Sequence, residues 1–452
     1  MARAVRKKEL TAEERLAAAL VPEEEQPYKV PGNWCWVRVG AICSFIGGGT
    51  PSKRNDKYWN GNVPWASVKD IKGDYLYETV DHITEAGLLN SSSNMCEEDD
   101  LLLVTRIEPA KTIISKIKTA INQDLKIVKS NLSPIFLHYY FKNFKHDFEM
   151  KSSGSTVQGI TLSNVQNNPL PLPPMNEQQR IVTLIESLFA DLDEAKEKLT
   201  AVVEGFAQRK AAILHQAFTG ELTAKWREEH GIELDAWKEI TFADGCDKIT
   251  DGTHHSPENN SEGEFMYVTA KNIKETGIDL SNITYVTKSV HDEIYSRCDV
   301  CYGDVLYIKD GATTGIATVN TLNEPFSLLS SVAVLRPKHE VLLSGYMKYY
   351  LNAPSVKAKM LNQMSGNAIT RLTLKKIKSS TILLCGIQEQ REIVRILDDL
   401  FEQEQQAQSA VENVLADIDT LKKSILARAF RGELATNDPG EENAVEMLKK
   451  ML

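Results

Sequence analysis

Glu177-Gln178-Gln179-Arg180-Ile181-Val182 returns 212 residues later as Glu389-Gln390-Arg391-Glu392-Ile393-Val394, and the match runs without a gap for about 45 residues. It ends where Ala217-Phe218-Thr219-Gly220-Glu221-Leu222 meets Ala429-Phe430-Arg431-Gly432-Glu433-Leu434. Weaker echoes precede each copy. Ser153-Gly154 through Thr161-Leu162 matches Ser365-Gly366 through Thr373-Leu374, and Pro64-Trp65 through Ile71 resembles Met266-Tyr267 through Ile273 at an offset of 202. A fixed period of this kind marks a duplicated structural unit.

Both copies carry a heptad stripe. Ile181, Ile185, Leu188, Leu192, Ala195, Leu199, Val202, Phe206 and Ile213 keep 4-3 spacing, broken at Arg209. Ile393, Leu397, Leu400, Ala407, Val411, Val414, Ile418, Leu421 and Ile425 keep the same phase, broken at Glu404. A narrow apolar stripe on a charged helix asks for one partner helix. The prolines of Pro169–Pro174 and Gly386 read as turns before the helices, and Gly220 and Gly432 as their stops. The expected fold class is α+β: two tandem α/β domains separated by two long α-helices that pair as an antiparallel intramolecular coiled coil, with pseudo-two-fold symmetry. Homodimerisation through separate stripes is the alternative. The expected organisation is an N-terminal charged helical extension (1–26), a globular domain (27–175), a helix (176–223), a second domain (224–386), a second helix (387–435) and a frayed tail with a small terminal helix (436–452).

The length of 452 residues suits such a multi-unit chain, and 25% charged residues excludes wholesale disorder. No stretch of roughly 18 apolar residues offers a membrane span, the charged N-terminus lacks a secretory signal, and the cysteines are too scattered for a disulfide framework. A cytoplasmic location is expected.

The net charge of −10 hides an uneven distribution. The helical segments and termini account for all of it, and the globular segments sum to zero. From Arg106 to Lys151 there are 9 basic and 4 acidic residues, and from Arg336 to Lys378 there are 9 basic residues and one acidic. One basic face per repeat, flanked by small polar loops, suits phosphate contact; a solvated surface is the bland reading. Gly47-Gly48-Gly49-Thr50 lacks the spacing of a phosphate loop, and Cys298-Asp299-Val300-Cys301 has no second pair at zinc spacing. No metal site and no catalytic cluster stands out, so the chain reads as a binder.

The stretches Gly48-Gly49-Thr50-Pro51-Ser52-Lys53, Tyr58-Trp59-Asn60-Gly61, Pro64-Trp65 and Val68-Lys69-Asp70-Ile71 resemble the opening of a target recognition domain in the specificity (S) subunits of type I restriction–modification systems. Pro171-Leu172-Pro173-Pro174 before Glu177-Gln178-Gln179-Arg180-Ile181 resembles the start of that family's helical spacer, and the Ala217 and Ala429 hexapeptides resemble its ends. The second domain departs from the pattern, with Asp251-Gly252-Thr253-His254 set against Gly48-Gly49-Thr50-Pro51, Tyr267 against Trp65, and no proline run before Ile387.

The resemblance implies a DNA sequence-recognition subunit without a catalytic role. Each domain would read one half of a bipartite target in double-stranded DNA, and the helices would set the gap. They would also dock two copies of a modification (methyltransferase) subunit and a restriction (motor-nuclease) subunit. No cofactor is expected on this chain; S-adenosylmethionine would sit in the methyltransferase partners. The residues expected near DNA are Thr50, Ser52, Lys53, Lys57, Lys69, Ser152, Ser153, Gly154 and Ser155 in the first domain. In the second they are Thr253, His254, Lys271, Asn272, Gly366, Asn367 and Arg371, with Asn367 and Arg371 suited to bidentate base contacts. Glu186, Asp193 and Glu197 are the expected partner surface. The competing class is a two-domain binder of protein or carbohydrate joined by a coiled coil.

Overall fold

The computed structural model describes residues 11–153, 158–364 and 371–452. The chain forms two compact units: one runs to Lys198 and includes Val414–Leu452, the other is Leu199–Asn413. The two long helices, Met175–Thr219 and Ile387–Phe430, each contribute residues to both.

In the first unit a five-stranded sheet has the order Cys43–Gly47, Leu125–Ser130, Leu101–Val104, Thr112–Ser115, Tyr75–Leu76. Leu101–Val104 is apolar at every position and buried on both faces, which places it centrally. A four-stranded sheet follows, with Trp59–Ala66 and Thr119–Ile121 paired in parallel at its centre. The helix Pro134–Asn143 starts on its proline, and its aromatic face builds the core with Phe136, Tyr140 and Phe141. Phe430, at the end of the second long helix, enters that cluster 5.3 Å from Phe136.

The second unit repeats the plan. Its main sheet runs Cys246–Asp251, Val332–Pro337, Val305–Ile308, Ala317–Val319. In its smaller sheet Phe265–Val268 pairs in parallel with Ser327–Leu328. Phe218, at the end of the first long helix, packs 5.3 Å from Tyr346 and 5.2 Å from Tyr350. Each hexapeptide motif thus anchors a helix end in a globular core. The left-handed φ at Gly220 (+85) and Gly432 (+73) ends the helices as glycine allows.

Glu177 and Glu389 anchor the helix starts. Glu177 is fully buried and accepts from the Trp34 indole (2.7 Å), Asn437 (2.8 Å) and Thr436 (3.2 Å). Glu389, equally buried, accepts from Trp237 (2.9 Å), Thr223 (2.7 Å) and Arg227 (2.7 Å). The helices run antiparallel within the first unit, where Lys422 meets Asp193 at 2.5 Å and Lys196 meets Asp419 at 3.2 Å.

Two expectations are corrected. The proline run is not a turn: Pro169–Leu172 is a strand paired with Cys35–Arg38, and a two-stranded ribbon tolerates prolines because its outer edge needs no N–H donor. The C-terminal tail is not frayed. Its helix Ala444–Met451 buries Ala444, Met447 and Leu448 in the first core, and Glu441 receives both Arg180 Nη atoms at 2.8 Å. In the N-terminal extension, the helix Ala12–Ala19 is capped by Thr11 and Glu14, and Arg15 donates to the Leu452 carbonyl; residues 1–10 lie outside the described set. No helix among the described residues is long and apolar enough to cross a membrane.

Candidate nucleic-acid interface

In each unit four segments meet at one end of the strands of the main sheet. In the first, the Gly47–Thr50 loop packs on Asn122-Gln123-Asp124, with the Gly49 N–H donating to the Ile121 carbonyl at 3.0 Å. A side chain on Gly48 would place Cβ 2.3 Å from the carbonyl oxygens of Asn122 and Ile121, so only glycine permits this approach. Thr105 N–H donates to the Asp124 carbonyl, and Ile160 N–H to the Thr105 carbonyl. A backbone β-bridge between Arg106 and Gly159 brings in the fourth segment. Asp124 is 8% exposed and organises the junction: its carboxylate accepts from Asn122 (3.0 Å) and Gln123 (3.3 Å) and lies 3.3 Å from Arg106. Gln123 in turn accepts from the Thr50 hydroxyl.

The second unit builds the same junction with other side chains. Gly252 approaches the Leu328 carbonyl as closely, and Thr253 N–H donates to it at 2.8 Å. Lys309 N–H donates to the Ser331 carbonyl, Leu372 N–H to the Lys309 carbonyl, and a backbone β-bridge joins Asp310 to Arg371. The register shows that Gly252 corresponds to Gly48, one residue away from the alignment read in the sequence, because only this glycine lies under the neighbouring carbonyl. Lys309, 4% exposed, donates to Asp310 at 2.7 Å and lies 3.5 Å from Asp251. His254 is 3.4 Å from Asp251.

The expected site residues separate into groups. Thr50, Ser153, Thr253, His254 and Arg371 come to the two junctions; Arg371 is exposed and makes no ion pair among the described residues. Ser52, Lys53 and Lys271 are exposed on loops, and Lys57 is exposed on the short 3-10 helix Asp56–Tyr58. Lys69 is held by Asp81 at 2.6 Å, and the Ser152 hydroxyl returns to the Phe148 carbonyl. Asn272 is corrected to a loop-building role: it is 7% exposed, its oxygen accepts from Thr269 N–H and hydroxyl, and its NH2 donates to the Asp279 carbonyl. Asp70 does the same for Ser67 in the first unit, so this pair builds the fold. Gly154, Ser155, Gly366 and Asn367 lie outside the described residues. Of the expected partner surface, Glu186, Asp193 and Glu197 are all exposed, and Asp193 also pairs with Lys422 of the other helix.

The basic face expected in the first unit is also corrected. Lys116 pairs with Asp99, Lys118 with Glu97, Lys129 with Asp100 and Lys142 with Asp74, all acids outside the counted window. Lys126 turns to the Gln123 carbonyl, and burial pushes its ammonium below the ordinary lysine range. In the second unit Arg336 is spent on Asp304 and Asp299, Lys348 on Asp398 and Lys359 on Glu239. Arg371, Lys375 and Lys378 remain exposed without ion pairs among the described residues. Sequence reasoning missed Arg106, Gln123, Asp124, Lys309 and Asp310. The available signal was their position directly beside the matched apolar runs Leu101–Val104 and Val305–Ile308.

The model of the type I restriction modification DNA specificity domain matches residues 31–204 and again 235–413. The chain belongs to this family. DNA target recognition by two domains is the general function of type I specificity subunits. The EcoKI specificity subunit of Escherichia coli (strain K12) is 23% identical over 463 residues, covering 94% of this chain and 96% of that protein. The EcoBI specificity subunit of Escherichia coli is 25% identical over 347 residues, covering 72% and 73%. The HsdS subunit from Thermoanaerobacter tengcongensis shares the fold, with a TM-score of 0.60 at 21% identity, covering 91% of this chain and all of that one.

Proposed function

We propose that this chain is the reading subunit of a type I restriction–modification complex in the cytoplasm, and that each unit reads one half of a split target in double-stranded DNA. The observation that carries this reading is the duplicated junction. The same backbone hydrogen bonds recur at Gly49 and Thr253, at Thr105 and Lys309, and at Ile160 and Leu372. One scaffold used twice suits two stretches of one duplex.

The long helices act as spacer and dock. Equivalent grooves open at their starts: one is lined by Asn176, Gln179, Arg180 and Thr183, the other by Gln388, Arg391, Glu392 and Arg395. Matching positions in both copies support two copies of one partner, a methyltransferase subunit. Val202, Val414 and Leu421 of the stripes are exposed, which supports further contact along the helices. Adenine methylation, with its S-adenosylmethionine, belongs to those partners, and cleavage to a motor-nuclease subunit; this chain carries out no chemical step.

The test is the adenine methylome of cells expressing this chain with its cognate methyltransferase subunit, against cells lacking only this chain. Methylation of one split motif that disappears with the chain supports the reading. An unchanged methylome with both proteins present overturns it in favour of a two-domain binder of another ligand.

A further inference from the structure

The two junctions share their backbone and differ in charge at five matched positions. Gly47 becomes Asp251, Thr105 becomes Lys309, Arg106 becomes Asp310, Asp124 becomes Ser331 and Gly159 becomes Arg371. The substitution of Arg106 by Asp310 reverses the sign at one structural position. Core packing does not require that reversal, because the Arg106 side chain is 54% exposed and that of Asp310, at the matching position, is 20% exposed. Asp310 is also incompletely used: Oδ2 takes Lys309, while Oδ1 and the neighbouring Ser331 hydroxyl are buried without a hydrogen-bond partner among the described residues. A buried acceptor without a partner, one backbone β-bridge away from the exposed Arg371, which makes no ion pair among the described residues, suits a site completed by a ligand.

We infer that position 106/310 is a specificity-determining pair that reads base edges of opposite hydrogen-bonding character in the two half-sites. Arg106 suits a base presenting acceptors, guanine O6 and N7. Asp310 suits a base presenting an exocyclic amine, cytosine N4 or adenine N6, and Arg371 beside it suits an adjacent guanine. Lys309, buried between Asp251 and Asp310, holds the Asp310 carboxylate at the rim and acts as a positioning residue. The inference rests on the reading of the chain as a DNA-recognition subunit.

The test uses the full chain with its methyltransferase partner and compares methylated motifs base by base for the wild type, Arg106→Ala, Asp310→Asn and Arg371→Ala. Arg371→Ala alters an exposed side chain and so tests the second unit even if Asp310→Asn fails to fold. The expected result is a loss of preference of about tenfold or more at one or two positions. Arg106→Ala acts in one half of the motif only, and Arg371→Ala and Asp310→Asn act in the other half only. Unchanged preferences overturn the inference, as does weakening that is uniform across sequences, which marks a phosphate contact. A wild-type chain that directs no motif overturns the underlying reading instead, so the two failures are distinct.

Discussion

Arg209 and Glu404, the residues that interrupt the two apolar stripes, pair with each other: Arg209 Nε donates to Glu404 Oε1 at 3.1 Å. The Arg209 guanidinium also lies 4.5 Å from the centre of the Phe206 ring. An isolated polar pair in a heptad seam costs some stability and selects one register, because any slip leaves both charges against apolar neighbours. Arg209→Glu is expected to destabilise the second unit by about 1 kcal/mol, and Arg209→Glu with Glu404→Arg to restore most of it. A urea double-mutant cycle measures this, and additive losses count against the pairing.

The helix-start anchor in the second unit is more sensitive. Arg227 and Glu389 are 7% and 1% exposed, and Glu389→Ala leaves the guanidinium buried without its carboxylate. A loss of about 3–5 kcal/mol is expected by equilibrium unfolding. Replacing an exposed acid such as Glu197 is expected to change little.

Gly48→Ala places a methyl against two carbonyl oxygens, and Gly252→Ala does so against Leu328. Each is expected to distort its junction at a cost of about 1–3 kcal/mol and to abolish motif-specific methylation. Gly32→Ala, with open space around the new methyl, is the matched control.

The C-terminal helix belongs to the first core. Leu448 is fully buried there, so Leu448→Ala is expected to cost about 2–4 kcal/mol and lower the thermal midpoint. A dispensable tail would show no change.

His138 and His291 are buried, 1% and 4% exposed, and burial holds both below the ordinary histidine range, which keeps them neutral in the fold. The unfolded chain takes up protons first as pH falls below about 6.5. Stability is therefore full above that value and declines as pH falls toward the depressed folded values. Thermal midpoints at pH 7.5 and 5.5 check this, with a drop of a few degrees expected.

The repeat, the helices and their antiparallel pairing were legible in the chain because heptad spacing and duplication are patterns of neighbours along the sequence. The hexapeptide motifs were legible as helix stops, yet their main use, seating Phe218 and Phe430 in aromatic cores, was not. Pro169–Leu172 misled because prolines announce a turn, and whether they sit on an edge strand depends on Cys35–Arg38, more than a hundred residues away. Among the candidate site residues, Thr50, Ser153, Thr253, His254 and Arg371 reached a junction. Asn272 was consumed in building a loop, a use visible only once Asp279 folds back on it.

The sequence by itself determined that one α/β unit is used twice, each time followed by a long helix with a single apolar stripe. It also carried the family, through motifs that lie close together along the chain. The tertiary structure alone decided where charge is available. Coulomb attraction acts between residues close in space, and the partners that neutralise Lys116, Lys142 and Arg336 lie at Asp99, Asp74 and Asp304. A window of sequence therefore counted cations that the fold had already paired, did not set Arg106 apart from them, and passed over Asp310 and Lys309, which the meeting of four separate segments brings to one end of the sheet.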